Sequence, residues 1–212
     1  MPEACAPLLI EVISDFVCPW CWIGKRGVDA LASERSVERL WRPYFLHPGL
    51  PDEGMDRKQF VLMKFGPGGV SKAAMQGLYE AADAVGLSLN YDAVTRVPNT
   101  TNAHRLAHWA TGQGVGDPVA EGLFQAYFAD GRDIGAIDVL VDIGTSAGMD
   151  ADLLRNLLAG DADMEDVSNA AEQARDLGIS GVPTHLIDRK AMIVGAQGVA
   201  ALREAAYRVA TT

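Results

Sequence analysis

Ser14-Asp15-Phe16-Val17-Cys18-Pro19-Trp20-Cys21-Trp22-Ile23-Gly24-Lys25 is the stretch around which this chain is organised. The apolar run 8–13 before it reads as a short β-strand, and the residues after it read as a helix. Pro19 suits the first helical position, where its missing N–H removes no helical bond. Cys18 is then the expected N-cap, an exposed residue with its sulfur near the free N–H groups of Trp20 and Cys21. Unpaired donors and the positive end of the helix dipole favour a thiolate there. The first expectation is therefore a dithiol–disulfide redox site made by Cys18 and Cys21. Half of a zinc site is the rival, because Cys-x-x-Cys is also ligand spacing. No second cysteine pair exists, and His47, the nearest histidine, falls in a turn-rich stretch without ligand spacing. The strand–Cys-x-x-Cys–helix context favours redox chemistry, and no metal is expected.

The whole chain narrows the setting. Its 212 residues suffice for one large domain, or for one domain carrying an insertion. With 49% hydrophobic and 22% charged residues it has the composition of a soluble globular protein. A net charge of −10 argues against broad nucleic-acid binding, which needs a cationic surface. No apolar run is long enough to span a membrane. Met1-Pro2-Glu3-Ala4-Cys5 lacks the basic start and apolar core of a secretory signal, so a cytoplasmic location is expected. In that reducing compartment a close cysteine pair is catalytic, redox-sensing or metal-binding rather than a structural staple. Cys5 has no partner in sequence and reads as a bystander thiol.

Outward from the dithiol, the helix runs over 19–33 and a second strand over 37–46. Strand, helix and strand in so short a span make a βαβ unit with a parallel pair. Residues 47–54 are turn-rich, and nearly everything after them is helical. Glycine and proline punctuation predicts helices over 56–65, 71–85, 100–111, 118–129 (Asp117 as cap), 135–147, 150–159 and 163–177. Strand character returns at 182–188 and 191–195, spaced as an antiparallel hairpin, and a last helix covers 198–210. A two-stranded tail cannot bury its own faces, so the late strands must join the early ones. The expected architecture is α/β, βαβ…ββα. A discontinuous domain of 8–50 and 163–212 is interrupted by an all-helical insertion over 51–162.

Five ordered segments carry a resemblance: 14–24; Pro98-Asn99-Thr100 with Ala103-His104-Arg105-Leu106; 123–128; 178–184; and Gly195-Ala196-Gln197. Together they resemble the DsbA-like branch of the thioredoxin superfamily. Within it the chain is similar to the FrnE-type oxidoreductases, relatives of 2-hydroxychromene-2-carboxylate isomerase and kappa-class glutathione transferase. The resemblance implies a thioredoxin fold and a cis Val182–Pro183 bond facing the dithiol, with the Val182 backbone open to pair with an extended substrate. It implies thiol–disulfide exchange with Cys18 as nucleophile and Cys21 as resolving thiol. The activity is that of an oxidoreductase, with disulfide isomerase action in the same chemistry. No dissociable cofactor is implied, though glutathione is a candidate redox partner. Substrates are disulfide- or thiol-bearing proteins or small molecules. Some relatives dimerise, which leaves a homodimer open. An aromatic at Trp20 resembles the glutaredoxin pattern more than the strongly oxidising one, which points to intermediate or reducing behaviour. The alternative is a glutathione-dependent isomerase or transferase, whose members usually have serine at the position of Cys18. A pure peptide-binding module, with the insertion as a lid, is a third class.

Several residues keep two readings each. Phe16, Trp20 and Trp22, with Pro19, are candidates for an apolar substrate rim, whereas Trp41, Trp109, Phe124 and Phe128 read as core. Asn99 is either a substrate or glutathione contact or a simple helix cap. His104 and His108 share a helix face; partly exposed structural histidines are favoured over a metal pair. His185, where related sequences often carry an aromatic, is expected buried and neutral, with proton handling near the thiols as the alternative.

Overall fold

The computed structural model describes residues 6–211; Cys5 lies outside them. β1 (Leu8–Ser14) is buried at all but one position, as an apolar strand covered on both faces must be. It leads into α1 (Pro19–Glu34) and then β2 (Val37–Pro43), which pairs parallel to β1 from Leu8↔Val37 to Ser14↔Pro43. β3 (Met55–Asp56), α2 (Arg57–Phe65), α3 (Lys72–Asp83) and β4 (Arg96–Val97) follow. Next come α4 (Thr101–Gly112), α5 (Gly116–Phe128), α6 (Ile137–Ser146), α7 (Ala151–Ala159) and α8 (Met164–Asp176). β5 (Thr184–Ile187), β6 (Ala191–Val194) and α9 (Val199–Ala210) close the fold. This is a thioredoxin-like α/β fold with a helical insertion. No described helix is long and apolar enough to cross a membrane.

The main sheet has the order β2-β1-β5-β6, so strands from the two ends of the chain lie side by side. β5 runs antiparallel to β1, with Ile10↔Ile187 and Ile13↔Thr184, and the β5–β6 hairpin is antiparallel. The hairpin turn places Asp188 and Arg189 at positive φ, a conformation that aspartate tolerates well, and Asp188 Oδ1 accepts a bond from Leu9 N at 2.9 Å. One apolar cluster runs from Ile10, Val28 and Leu31 to Leu106, Leu123, Phe124 and Phe128. The sheet, the dithiol helix and the helical block therefore share a core.

Two details differ from the sequence reading. β3 and β4 pair as a two-stranded sheet, Met55↔Val97 and Asp56↔Arg96, too short to show any alternation in sequence. α5 begins at Gly116 with Val115 at its cap, so Pro118 lies within the first turn, where a missing N–H is still harmless. Asp117 does not cap that helix. It joins an ion cluster with Lys25 (3.3 Å) and Arg39 (2.5 Å). Lys25, only 4% exposed, also meets Asp29 at 3.0 Å and Glu121 at 3.1 Å, while Arg26 pairs with Asp29 and Glu121. Three cations and three anions thus tie α1 to α5 and β2, and pairing is what permits an ammonium to be buried.

Candidate active site

The dithiol sits where β1 hands over to α1. Cys18 is the N-cap, extended at φ −100° and ψ 111°, with Pro19 in the first turn. Cys18 N donates to Asp15 O, and Cys21 N donates to Cys18 O, each at 3.0 Å. No disulfide joins Cys18 and Cys21 in this structure. Cys18 is less exposed than its N-cap position predicts, at 5%, and Cys21 is fully enclosed. Burial pushes the Cys21 thiol well above its ordinary pKa, and the neighbouring Cys18 adds to the effect. The Ser14 hydroxyl and the Asp15 backbone beside the sulfur oppose it more weakly.

The opposite wall comes from the far end of the chain. The Val182–Pro183 bond is cis, and Cys18 Sγ donates to Val182 O at 3.7 Å. Gly24, on the helical turn after Cys21, leaves room for this approach. A Cβ at position 24 would stand 2.8 Å from Pro183 Cγ and 3.4 Å from His185 Cε1. A rigid proline ring cannot yield cheaply, so Gly24→Ala is expected to lose about 1–3 kcal/mol of stability, read by urea unfolding. A variant as stable as the wild type would show that this wall is soft.

The family model of the DSBA-like thioredoxin domain matches residues 9–206. The chain belongs to the DsbA-like thioredoxin family. A probable DsbA oxidoreductase from Streptomyces coelicolor is 30% identical, with a TM-score of 0.81 over 95% of this chain and 89% of that one. YwbO of Bacillus subtilis (strain 168), itself described as uncharacterized, is 28% identical over 198 residues, which is 89% of this chain and 90% of YwbO. A 2-hydroxychromene-2-carboxylate isomerase shares the fold at a TM-score of 0.65 and 16% identity, over 95% of this chain and 96% of its own.

Among the residues singled out in sequence, this DsbA-like fold brings Cys18, Pro19, Cys21, Val182 and Pro183 together. Trp20 is 42% exposed beside them. Phe16 and Trp22 do not line a rim. Phe16 is buried against Trp41, His104 and Phe124. Trp22 stacks on Phe124 and Phe128 and donates its indole N–H to Glu121 at 3.0 Å. Nearness in sequence to a reactive cysteine is a poor guide here, because the turn and the first helical turn send these side chains inward. Asn99 bonds its own surroundings: its Oδ1 accepts from Thr101 N at 3.0 Å and its Nδ2 donates to Leu50 O at 3.1 Å. His104 is buried rather than partly exposed, while His108 is exposed. Trp41, Phe124 and Phe128 are buried as expected; Trp109 is half-buried and bonds Asp163. Among the described residues, no three His, Cys, Asp or Glu side chains are grouped to hold a metal.

The insertion adds residues that sequence reasoning missed. Lys64 on α2 lies 3.4 Å from His47 Nδ1 and within electrostatic reach of Cys18 and Asp15. Partial burial lowers the Lys64 pKa, against the pull of Cys18 and Asp15. Burial, then Lys64, lowers that of His47. Only the basic character of α2, which carries Arg57, Lys58 and Lys64 without an acid, could have drawn attention to it.

His185 is fully buried on β5, and burial lowers its pKa to about 4. The Ile193 backbone weakly favours the charged form, yet neither ring nitrogen reaches hydrogen-bond geometry. The folded chain keeps this ring neutral while the unfolded chain protonates it near 6.5. Stability is therefore expected to fall as the pH drops from about 6.5 to 4, by roughly 3 kcal/mol from this residue. His185→Leu removes that component. Urea unfolding of both proteins across this range checks it, and parallel profiles would sink the assignment.

Proposed function

We propose that this protein is a thiol–disulfide oxidoreductase of the FrnE type. Cys18 is its nucleophile and Cys21 its resolving thiol. The observation that carries the reading is a cysteine pair at the start of α1, with the Cys18 sulfur against the Val182 carbonyl. Cys18 thiolate attacks one sulfur of a substrate disulfide; that bond breaks and its electron pair leaves on the other sulfur, which takes up a proton. Cys21 then attacks Cys18 of the mixed disulfide, forming the Cys18–Cys21 bond and releasing the second substrate thiol. Substrate is reduced by two electrons and the dithiol is oxidised. The reverse sequence oxidises a substrate dithiol.

The polypeptide backbone at Val182 and the exposed face of Trp20 serve as the substrate wall, suited to an extended segment that pairs as an added strand. The chemistry needs no dissociable cofactor. Glutathione is the expected redox partner and the cytoplasm the expected compartment, where a reducing role fits an aromatic at position 20. The isomerase alternative is disfavoured by the pair Cys18 and Cys21, since those relatives usually have serine at the first position and lack the second cysteine.

Insulin-disulfide reduction and redox equilibrium against glutathione test the reading together. Turnover with a potential between those of thioredoxin and the strong oxidants, roughly −270 to −120 mV, is the expected result. Absence of turnover, with glutathione binding retained and an aromatic substrate isomerised, would replace it.

A further inference from the structure

Cys21 has no contact with solvent, yet a resolving thiol must shed a proton each time it attacks and regain one each time it is released. The surroundings contain unsatisfied groups suited to that task. Ser14 Oγ, Asp15 Oδ1 and His104 Nε2 have no hydrogen-bond partner among the described residues, although the three residues are only 1%, 1% and 4% exposed. Buried polar atoms are nearly always bonded to protein or to ordered water, so three unpaired together call for an explanation. Ser14 adjoins the Cys21 sulfur. His104 Nε2 stands 3.5 Å from Asp15 Oδ1 without the alignment of a hydrogen bond. The other Asp15 oxygen is fixed by Leu46 N at 2.8 Å, and Phe16 and Phe45 hold the imidazole with ring centroids 4.9 and 5.3 Å away.

A cavity of about 80 Å³ is lined by two of these residues, Ser14 and His104. Its inner wall includes Ser14, Phe16 and His104, and its lining continues to the exposed His108 and Asp166 and the half-buried Arg42. The wall is mixed, apolar at Phe16, Trp41 and Val167 and polar at Ser14 and His104, and a cavity of that size has room for water bonded to the polar side.

We propose that Ser14, His104 and Asp15, with water held in this cavity, form a proton relay between Cys21 and solvent. The proposal rests on the reading of Cys21 as the resolving thiol. As the Cys21 sulfur forms its bond to Cys18, the Cys18–substrate bond breaks and its electron pair leaves on the substrate sulfur. The Cys21 proton passes through the Ser14 hydroxyl and water to His104 Nε2, and the resulting imidazolium is offset by the Asp15 carboxylate. It then leaves along the cavity to bulk water, and the steps run backwards when the disulfide is reduced. Asp15 is the charged group nearest the ring. Arg42 and Asp166 face the cavity from β2 and α8, with His108 and Arg105 on the same helix. Arg42 is engaged by Glu11 at 2.6 Å and Arg105 by backbone carbonyls, while His47 and Lys64 feel the Asp15 charge from beyond it. His104 and Asp15 act through Ser14 and are positioning residues.

A chromogenic aryl disulfide mixed rapidly with the reduced protein separates the steps. The first burst of aryl thiol reports Cys18 attack and an intact fold; the second reports resolution by Cys21. His104→Gln and Ser14→Ala are each expected to slow the second burst about 10–100-fold while the first remains visible. In His104→Gln the second burst is also expected to rise about tenfold per pH unit across neutral pH, because hydroxide must replace the relay, whereas the wild type is flatter. A second burst within about twofold of wild type overturns the relay. If His104→Gln shows no first burst because it fails to fold, Ser14→Ala decides. A wild type without either burst fails the oxidoreductase reading instead.

Discussion

Replacing Cys18 by serine is expected to lower disulfide-reductase turnover by roughly a thousand-fold or more, to the level of uncatalysed exchange. The hydroxyl is a far weaker nucleophile than a thiolate near neutral pH, and the N-cap position cannot make up the difference. Cys21→Ser has a different signature. Cys18 remains able to attack once, so the variant accumulates a mixed disulfide with substrate that no internal thiol resolves. Mass spectrometry of the trapped adduct after mixing with a disulfide peptide distinguishes the two. Adducts at Cys21 in Cys18→Ser, or full turnover in either variant, would reverse the assigned roles. The enclosure of Cys21 and its raised pKa make it the poorer first nucleophile.

Arg105→Met is expected to destabilise the fold by roughly 3–5 kcal/mol, the largest stability loss anticipated from one side chain. The guanidinium is fully buried on α4. Its Nε donates to Ala162 O and its Nη2 to Leu157 O, each at 2.6 Å, with Gly160 O at 2.9 Å from Nη2. Nη1 donates to Asn102 Oδ1 at 2.7 Å, and the group lies 5.1 Å from the centre of the Trp109 ring. These carbonyls close the end of α7 and the passage to α8. Helix ends leave such carbonyls unpaired, and a cation there is doubly favourable. Methionine fills similar space but strands the acceptors. Arg105→Lys keeps the charge and loses the planar fork, so it is expected to recover less than half of the loss. Urea unfolding midpoints measure both; a loss below about 1 kcal/mol for Arg105→Met would show that water replaces the guanidinium without cost.

Much of this was legible in the residues. The apolar run before Cys18, the proline after it and the glycines after several of the central helices are local signals, and local signals specify where elements begin and end. The hairpin around Asp188–Lys190 was readable for the same reason. The site was legible only in part. Trp22 is an aromatic beside a reactive cysteine, and nothing local says that its indole answers Glu121, almost a hundred residues later. Arg105 has no sequence mark of burial, because its acceptors are backbone carbonyls and those leave no residue type behind. Asp117 read as a helix cap because aspartate before proline is one; its partners Lys25 and Arg39 lie on other elements.

By itself the sequence determined that a cysteine pair opens a helix after a buried strand, that late strands must join early ones, and that a long helical segment separates them. These follow from periodicity, capping and the need of a short hairpin for cover. Tertiary structure alone decided that Gly24 leaves room for Pro183, that Ser14 lies against the Cys21 sulfur and that His104 is buried beside Asp15, whereas the Val182–Pro183 wall was expected only through the family resemblance. The physical reason is that reactivity here depends on desolvation and on through-space contact, and both are properties of neighbours that the chain brings together only by folding.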